Sequence, residues 1–147
     1  MTNSFEDFLK AKNQNEKPVD WIARKSQWIN SVNNLYRNIG IWFLPFISQS
    51  LLRTSYREIS IYEEYIGRYS INQFDIVIGN DIVSLVPVGT LLLGSYGRID
   101  IRGPKGSLMI VEQQWNEWKF VNSHDKMKRW TVNEESFKAV IEELING

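Results

Sequence analysis

The stretch Val88–Val121, VGTLLLGSYGRIDIRGPKGSLMIVEQQWNEWKFV, decides how the chain reads. It holds five glycines, and two arginines that flank an aspartate, so a ligand loop and a piece of sheet compete for it. Taking Gly103-Pro104-Lys105-Gly106 as a hairpin loop sets Ile101 opposite Leu108 and Ile99 opposite Ile110. The other face then carries Arg98, Asp100 and Arg102 against Val111, Met109 and Ser107. Apolar meets apolar on one face without adjustment, which is what a half-buried antiparallel pair requires. Pro104 suits the bend, and Gly103 and Gly106 allow positive φ. Gly89, Gly94 and Gly97 are expected to mark a bend or bulge ahead of this strand.

The segment before it, INQFDIVIGNDIVSLVPVG (Ile71–Gly89), reads as a hairpin across Gly79-Asn80. That turn pairs Ile78 with Asp81, Ile76 with Val83 and Phe74 with Leu85, again one apolar face. Upstream, YREISIYEEY alternates Ile59 and Ile61 with Glu58 and Ser60, the period of a strand. Downstream, WKFV (Trp118–Val121) and RWTV (Arg129–Val132) form a further hairpin. Helical periods bracket these strands. Phe5, Phe8 and Leu9 make a short stripe behind a capping-box-like Ser4 and Asp7. A longer helix is expected to start at Pro18 and to stop between Gly40 and Pro45. Its stripe runs through Trp21, Trp28, Leu35 and Trp42, with Ile22, Ile29, Tyr36 and Phe43 beside them. The chain closes with Phe137, Val140, Ile141, Leu144 and Ile145 behind an Asn133 N-cap, with Val132 and Phe137 spaced as a staple. Grouped strands between helices mean one α+β domain over residues 1–147: N-terminal helices, a curved antiparallel meander or partly closed barrel of six to seven strands, and a C-terminal helix.

Composition narrows the function classes. A chain of 147 residues buries about 68–70% of its unfolded surface, so its core needs no staple. Cysteine is absent, which removes disulfides, thiolate metal sites and cysteine nucleophiles. Lys+Arg and Asp+Glu each number 17, and this balance speaks against a general binder of nucleic acid. The N-terminus lacks a basic and then apolar leader, and Ile39–Ile47, broken by Gly40 and Pro45, is too short to span a bilayer. A cytoplasmic protein without membrane contact is the expectation.

Catalytic motifs are missing. The single histidine, His124, sits in a polar loop and reads as solvated. GTLLLGSYG has neither a Walker lysine nor the spacing of a dinucleotide fingerprint, and GSYG is not a nucleophile elbow. No catalytic, metal or cofactor residue is assigned. Two constellations remain. Arg98, Asp100 and Arg102 on one strand face offer an anion clamp, although a self-neutralising row is the favoured reading. Trp115, Trp118 and Trp130, interleaved with Lys119, Lys126, Lys128 and Arg129, offer an aromatic interaction surface. Its favoured counterpart is a hairpin with tryptophan inward and lysine outward.

The core Gly89-Thr90, then Gly94-Ser95-Tyr96-Gly97-Arg98-Ile99-Asp100, then Gly103-Pro104-Lys105-Gly106 resembles that of a group of small bacterial proteins with no assigned activity. The resemblance implies a bacterial source and a stand-alone domain, and carries over no chemistry. The reading that follows is a non-enzymatic protein-interaction module, of accessory or immunity type, with another protein as partner and a homodimer as a further option. The alternative is a binder of, or enzyme on, a small anionic ligand through Arg98, Asp100 and Arg102.

Overall fold

The computed structural model describes residues 4–15, 20–90, 96–122, 124–125 and 127–147. Gly94 and Lys126, singled out above, lie outside these residues, as does Pro18. The elements follow in the order α1 (Ser4–Asn15), α2 (Trp21–Ser48), β1 (Arg53–Glu63), β2 (Gly67–Ile78), β3 (Asp81–Gly89), β4 (Gly97–Gly103), β5 (Gly106–Gln114), β6 (Glu117–Val121), β7 (Arg129–Thr131) and α3 (Glu134–Asn146). The strands form one antiparallel sheet of seven in sequence order, an open meander. The α+β class is therefore as expected, with the sheet open rather than closed. No described helix is long and apolar enough to cross a membrane.

Both central hairpins adopt the expected registers. Ile78 pairs with Asp81, Ile76 with Val83 and Phe74 with Leu85. Ile99 pairs with Ile110 and Ile101 with Leu108. These side chains, with Trp28, Tyr36, Ile39, Phe120 and Phe137, form the main core between the sheet and helices α2 and α3. Phe137 of α3 meets both Phe43 of α2 and Phe120 of β6, at ring centroid distances of 5.7 and 6.2 Å, so the aromatic side chains tie both helices to the sheet. The expected bulge falls in β3, where the pairing with β4 slips between Pro87 and Gly89.

Two features of α2 correct the sequence reading. Its N-cap is Asp20, whose carboxylate accepts the Ala23 N–H at 3.0 Å, so the helix starts at Trp21. It also runs through Gly40 and Pro45 to Ser48. Proline costs about 3 kcal/mol inside a helix, through a missing donor and a clash with the carbonyl four residues back. Here Pro45 and Ile41 are both exposed, so water can serve that carbonyl, while Phe43, Phe46 and Ile47 hold the last turns on the core. Burial of those side chains outweighs the local penalty. Ile22, placed on the buried stripe by its spacing, is exposed instead.

Strand β2 changes which face it buries. Tyr69, Ile71 and Gln73 are buried in its first half, and Phe74 and Ile76 in its second, so the alternation shifts phase at Gln73-Phe74. Pairing with β3 begins at Phe74. Residues Gly67–Gln73 continue with β1 alone, as a two-stranded arm that turns its other face inward. Twist is strongest in two-stranded ribbons, which permits this roll.

The Gly103–Gly106 turn docks on α3. The Lys105 N–H donates to the Leu144 carbonyl at 2.9 Å, satisfying one of the acceptors that a helix end leaves open. Gly106 takes φ +155°, as expected, but Gly103 is needed for another reason. A Cβ there would lie 2.8 Å from both Cβ and O of Leu144. Close approach, not positive φ, demands that glycine. At the other end of α3, Asn133 Oδ1 accepts from Ser136 N at 2.8 Å and Ser136 Oγ accepts from Asn133 N at 2.9 Å, a reciprocal cap.

Candidate functional site

Arg98, Asp100 and Arg102 lie together on the sheet face turned away from α2 and α3, as the register places them. Asp100 Oδ1 accepts from Arg98 Nε at 2.8 Å and its Oδ2 from Arg102 Nη2 at 3.3 Å. One carboxylate thus holds both arginines. Arg98 is the tighter and more buried partner, and Arg102 reaches out to solvent. Beside them Met109, Val111 and Val121 make a small buried apolar cluster of their own.

The three tryptophans separate. Trp118 is in the core, tilted against Trp28 at 6.0 Å, and so offers no surface. Trp130 is half-buried against Phe120, its cross-strand partner, at 5.5 Å. Trp115, in the turn between β5 and β6, stacks on Tyr96 at 4.2 Å and is half-buried. Lys119 points outward and donates to Thr131 Oγ1 at 2.7 Å. The hairpin therefore alternates tryptophan inward and lysine outward. His124 is exposed, with its backbone N–H on Asn122 Oδ1 at 2.8 Å. Among the described residues no group of three or more His, Asp or Glu side chains is arranged to hold a metal ion.

A buried polar cluster escaped the sequence reading. Glu63, at the end of the β1–β2 arm, is buried and bonds across the sheet to the end of β3. Its Oε1 accepts from Thr90 N at 2.6 Å and from Thr90 Oγ1 at 2.9 Å, and its Oε2 accepts from the Tyr69 hydroxyl. The Thr90 carbonyl in turn accepts from Arg24 Nη2 of α2 at 2.8 Å. Burial, followed by the hydrogen bond to Glu63, holds the Tyr69 hydroxyl far above its usual range, so it stays a donor. The cluster pins the rolled arm, the β3 bulge and α2 to one another. Both carboxylate oxygens of Glu63 are engaged in that join, as a buried carboxylate requires.

Glu112 of β5 is a second fully buried carboxylate. Its Oε2 accepts from Asn116 N at 2.8 Å, while Oε1 has no hydrogen-bond partner among the described residues. Burial raises its pKa, and the Asn116 N–H and the Ser31 hydroxyl only partly offset that. A carboxyl raised in the folded state contributes stability in full below its usual value of 4.5, and loses it as pH rises through the higher folded value. The stability of Glu112→Gln relative to wild type is thus expected to rise on going from pH 4.5 upward, because the variant lacks this loss. Urea unfolding of both proteins across that range checks this; equal slopes would show that Glu112 ionises without cost.

At the surface, α1 displays the stripe expected of it. Phe5, Phe8 and Leu9 are 65%, 60% and 45% exposed. The Phe5 and Phe8 rings stack at 6.2 Å, and Glu6 and Lys10 pair at 3.2 Å on the polar side. Comparison with known proteins finds no matching family model, no matching curated protein and no matching solved structure. The functional reading therefore stands on geometry alone.

Proposed function

We propose that this chain is a non-enzymatic protein-interaction module that docks α1 into an apolar groove of a partner protein. The observation that carries this is the exposure of Phe5, Phe8 and Leu9 on one face of a helix. Anchors at i, i+3 and i+4 are the pattern by which short amphipathic helices enter grooves. Burying two phenylalanines and a leucine in a partner offers roughly 1.5–3 kcal/mol each. With Glu6 and Asp7 against Lys10 and Lys12 the helix carries no net charge, so apolar burial and not charge would supply the affinity. The remainder of the chain is the scaffold that carries the helix. A bacterial cytoplasm, in an accessory or immunity-type role, is the setting that goes with this reading.

The test uses the full chain, with Phe5→Asp and Phe8→Asp combined. Affinity capture from its native cells is expected to yield one stoichiometric partner with wild type and none with the variant. Stability is expected to stay within about 0.5 kcal/mol, as for exposed positions. Retention of the partner, or a large loss of stability, would contradict the proposal. A doubled mass of the purified chain that the variant abolishes would make the partner a second copy.

A further inference from the structure

The uncovered sheet face holds a cleft that no sequence motif marks. It has a volume of about 520 Å³ and is walled by Arg57 on β1 and by Arg102 with Gly103-Pro104 at the end of β4. Gln73, Ser84, Ile82 and Val86 form its floor. The strand order places these residues together, since Arg57 pairs with Gln73, Asp75 with Ser84 and Ser84 with Arg102.

The electrostatics of the floor and walls differ. Asp75 Oδ1 is occupied by Gln73 Nε2 at 2.9 Å and Ser84 Oγ at 2.7 Å, and Asp100 Oδ1 by Arg98 Nε at 2.8 Å. The carboxylates are thus committed mainly to floor and neighbour groups. Arg57 stands 3.9 Å from Asp75, and Arg102 3.3 Å from Asp100, each held by one edge. Their side chains are 67% and 61% exposed, so most of their N–H donors face the cleft mouth and solvent. Three arginines (57, 98 and 102) meet two aspartates (75 and 100) here, an excess of one positive charge. Ile82, half exposed on the floor, adds an apolar contact.

We propose that this cleft binds a carboxylate with a short apolar body, the guanidinium groups of Arg57 and Arg102 taking the carboxylate from two sides and Ile82 and Val86 taking the apolar part. A planar guanidinium matches a carboxylate in two parallel hydrogen bonds, and a single negative charge balances the excess. The site relocates the anion reading from the row Arg98–Asp100–Arg102, whose centre is self-neutralised, to a pair of arginines on separate strands. It stands apart from α1, so failure of either proposal leaves the other.

The test is a titration of the isotope-labelled full chain followed by amide NMR, with hexanoate, a capped peptide of alternating valine and glutamate, and inorganic phosphate as separate probes. Hexanoate or the peptide is expected to shift amides around Gln73, Ser84 and Arg102 and to spare α3. Tighter binding of the peptide would assign the carboxylate to a polypeptide, and tighter binding of hexanoate to a free organic acid; both support the site. Arg57→Gln and Arg102→Gln are each expected to weaken binding roughly tenfold, the scale of one charge-assisted pair, with unchanged spectra elsewhere. To keep the test independent of any change the variants make to the sheet, wild-type binding is also measured against salt and is expected to fall as salt rises. Shifts scattered over the surface, affinity unaltered by both substitutions and by salt, or a preference for phosphate would overturn the proposal.

Discussion

Ile99→Lys is expected to remove about 3–5 kcal/mol of folding stability, the range for leaving a charge buried without a partner. Ile99 is fully buried, paired with Ile110 on one side and Pro87 on the other, on the face that α2 and α3 cover. The nearest carboxylate on its strand, Asp100, points to the opposite face and is already held by two arginines. On the inward face the neighbouring strand does carry Glu112, two residues beyond Ile110, and an ammonium that paired with it would set the loss at the lower end of that range. Domains of this kind carry about 5–15 kcal/mol in all, so the variant should be unfolded for a substantial fraction of the time at modest denaturant. Arg102→Ala, three residues along and on the other face, is the matched control, expected to lose no more than about 1 kcal/mol. Guanidinium unfolding of the three proteins measures the difference. Equal losses would mean that the two faces of β4 are wrongly assigned.

The second large effect concerns Gly97, the first residue of β4. A Cβ built there would lie 2.1 Å from Cζ3 and 2.4 Å from Cε3 of Trp28. Trp28 is fully buried and backed by Trp118, so its ring has no solvent side into which to swing. Gly97→Val is expected to cost about 3 kcal/mol, at the upper end for overpacking, as the helix is pushed from the sheet. The cause can be isolated. Trp28→Leu alone leaves a cavity and destabilises, but combined with Gly97→Val it should recover about 1 kcal/mol or more over the sum of the single effects. Strict additivity would show that Trp28 does not seat on Gly97.

Much of this was legible because period-two patterning is local. The hairpins at Gly79-Asn80 and at Gly103–Gly106 align their apolar faces within short segments, and their registers follow. Glu63 and Glu112 carried a signal that a search for motifs passes over: each continues the inward phase of its strand, after Ile59 and Ile61, and after Leu108 and Ile110. An acid in phase with buried residues indicates a polar join, and here Thr90 and Asn116 supply the donors. What could not be read locally depends on distant packing. Pro45 stays helical because the following turn is held on the core. Gly97 is glycine because a helix far upstream lays an indole on it. The arm changes face at Gln73-Phe74 because pairing with β3 begins there, a boundary that alternation within β2 does not announce. For the same reason the sequence pairs Arg102 with its neighbour Asp100 but gives no hint of Arg57 across the cleft.

The docking element proposed is α1, and a photo-crosslinker within it is the sharpest probe of that role. Phe8→p-benzoylphenylalanine in the full chain, expressed and irradiated in its native cells, places the reactive group in the exposed stripe. The same group at Tyr62, equally exposed on β1, serves as the control. One crosslinked protein is expected from position 8 and none from position 62. Crosslinks of equal yield from both positions, or from position 62 alone, would contradict it.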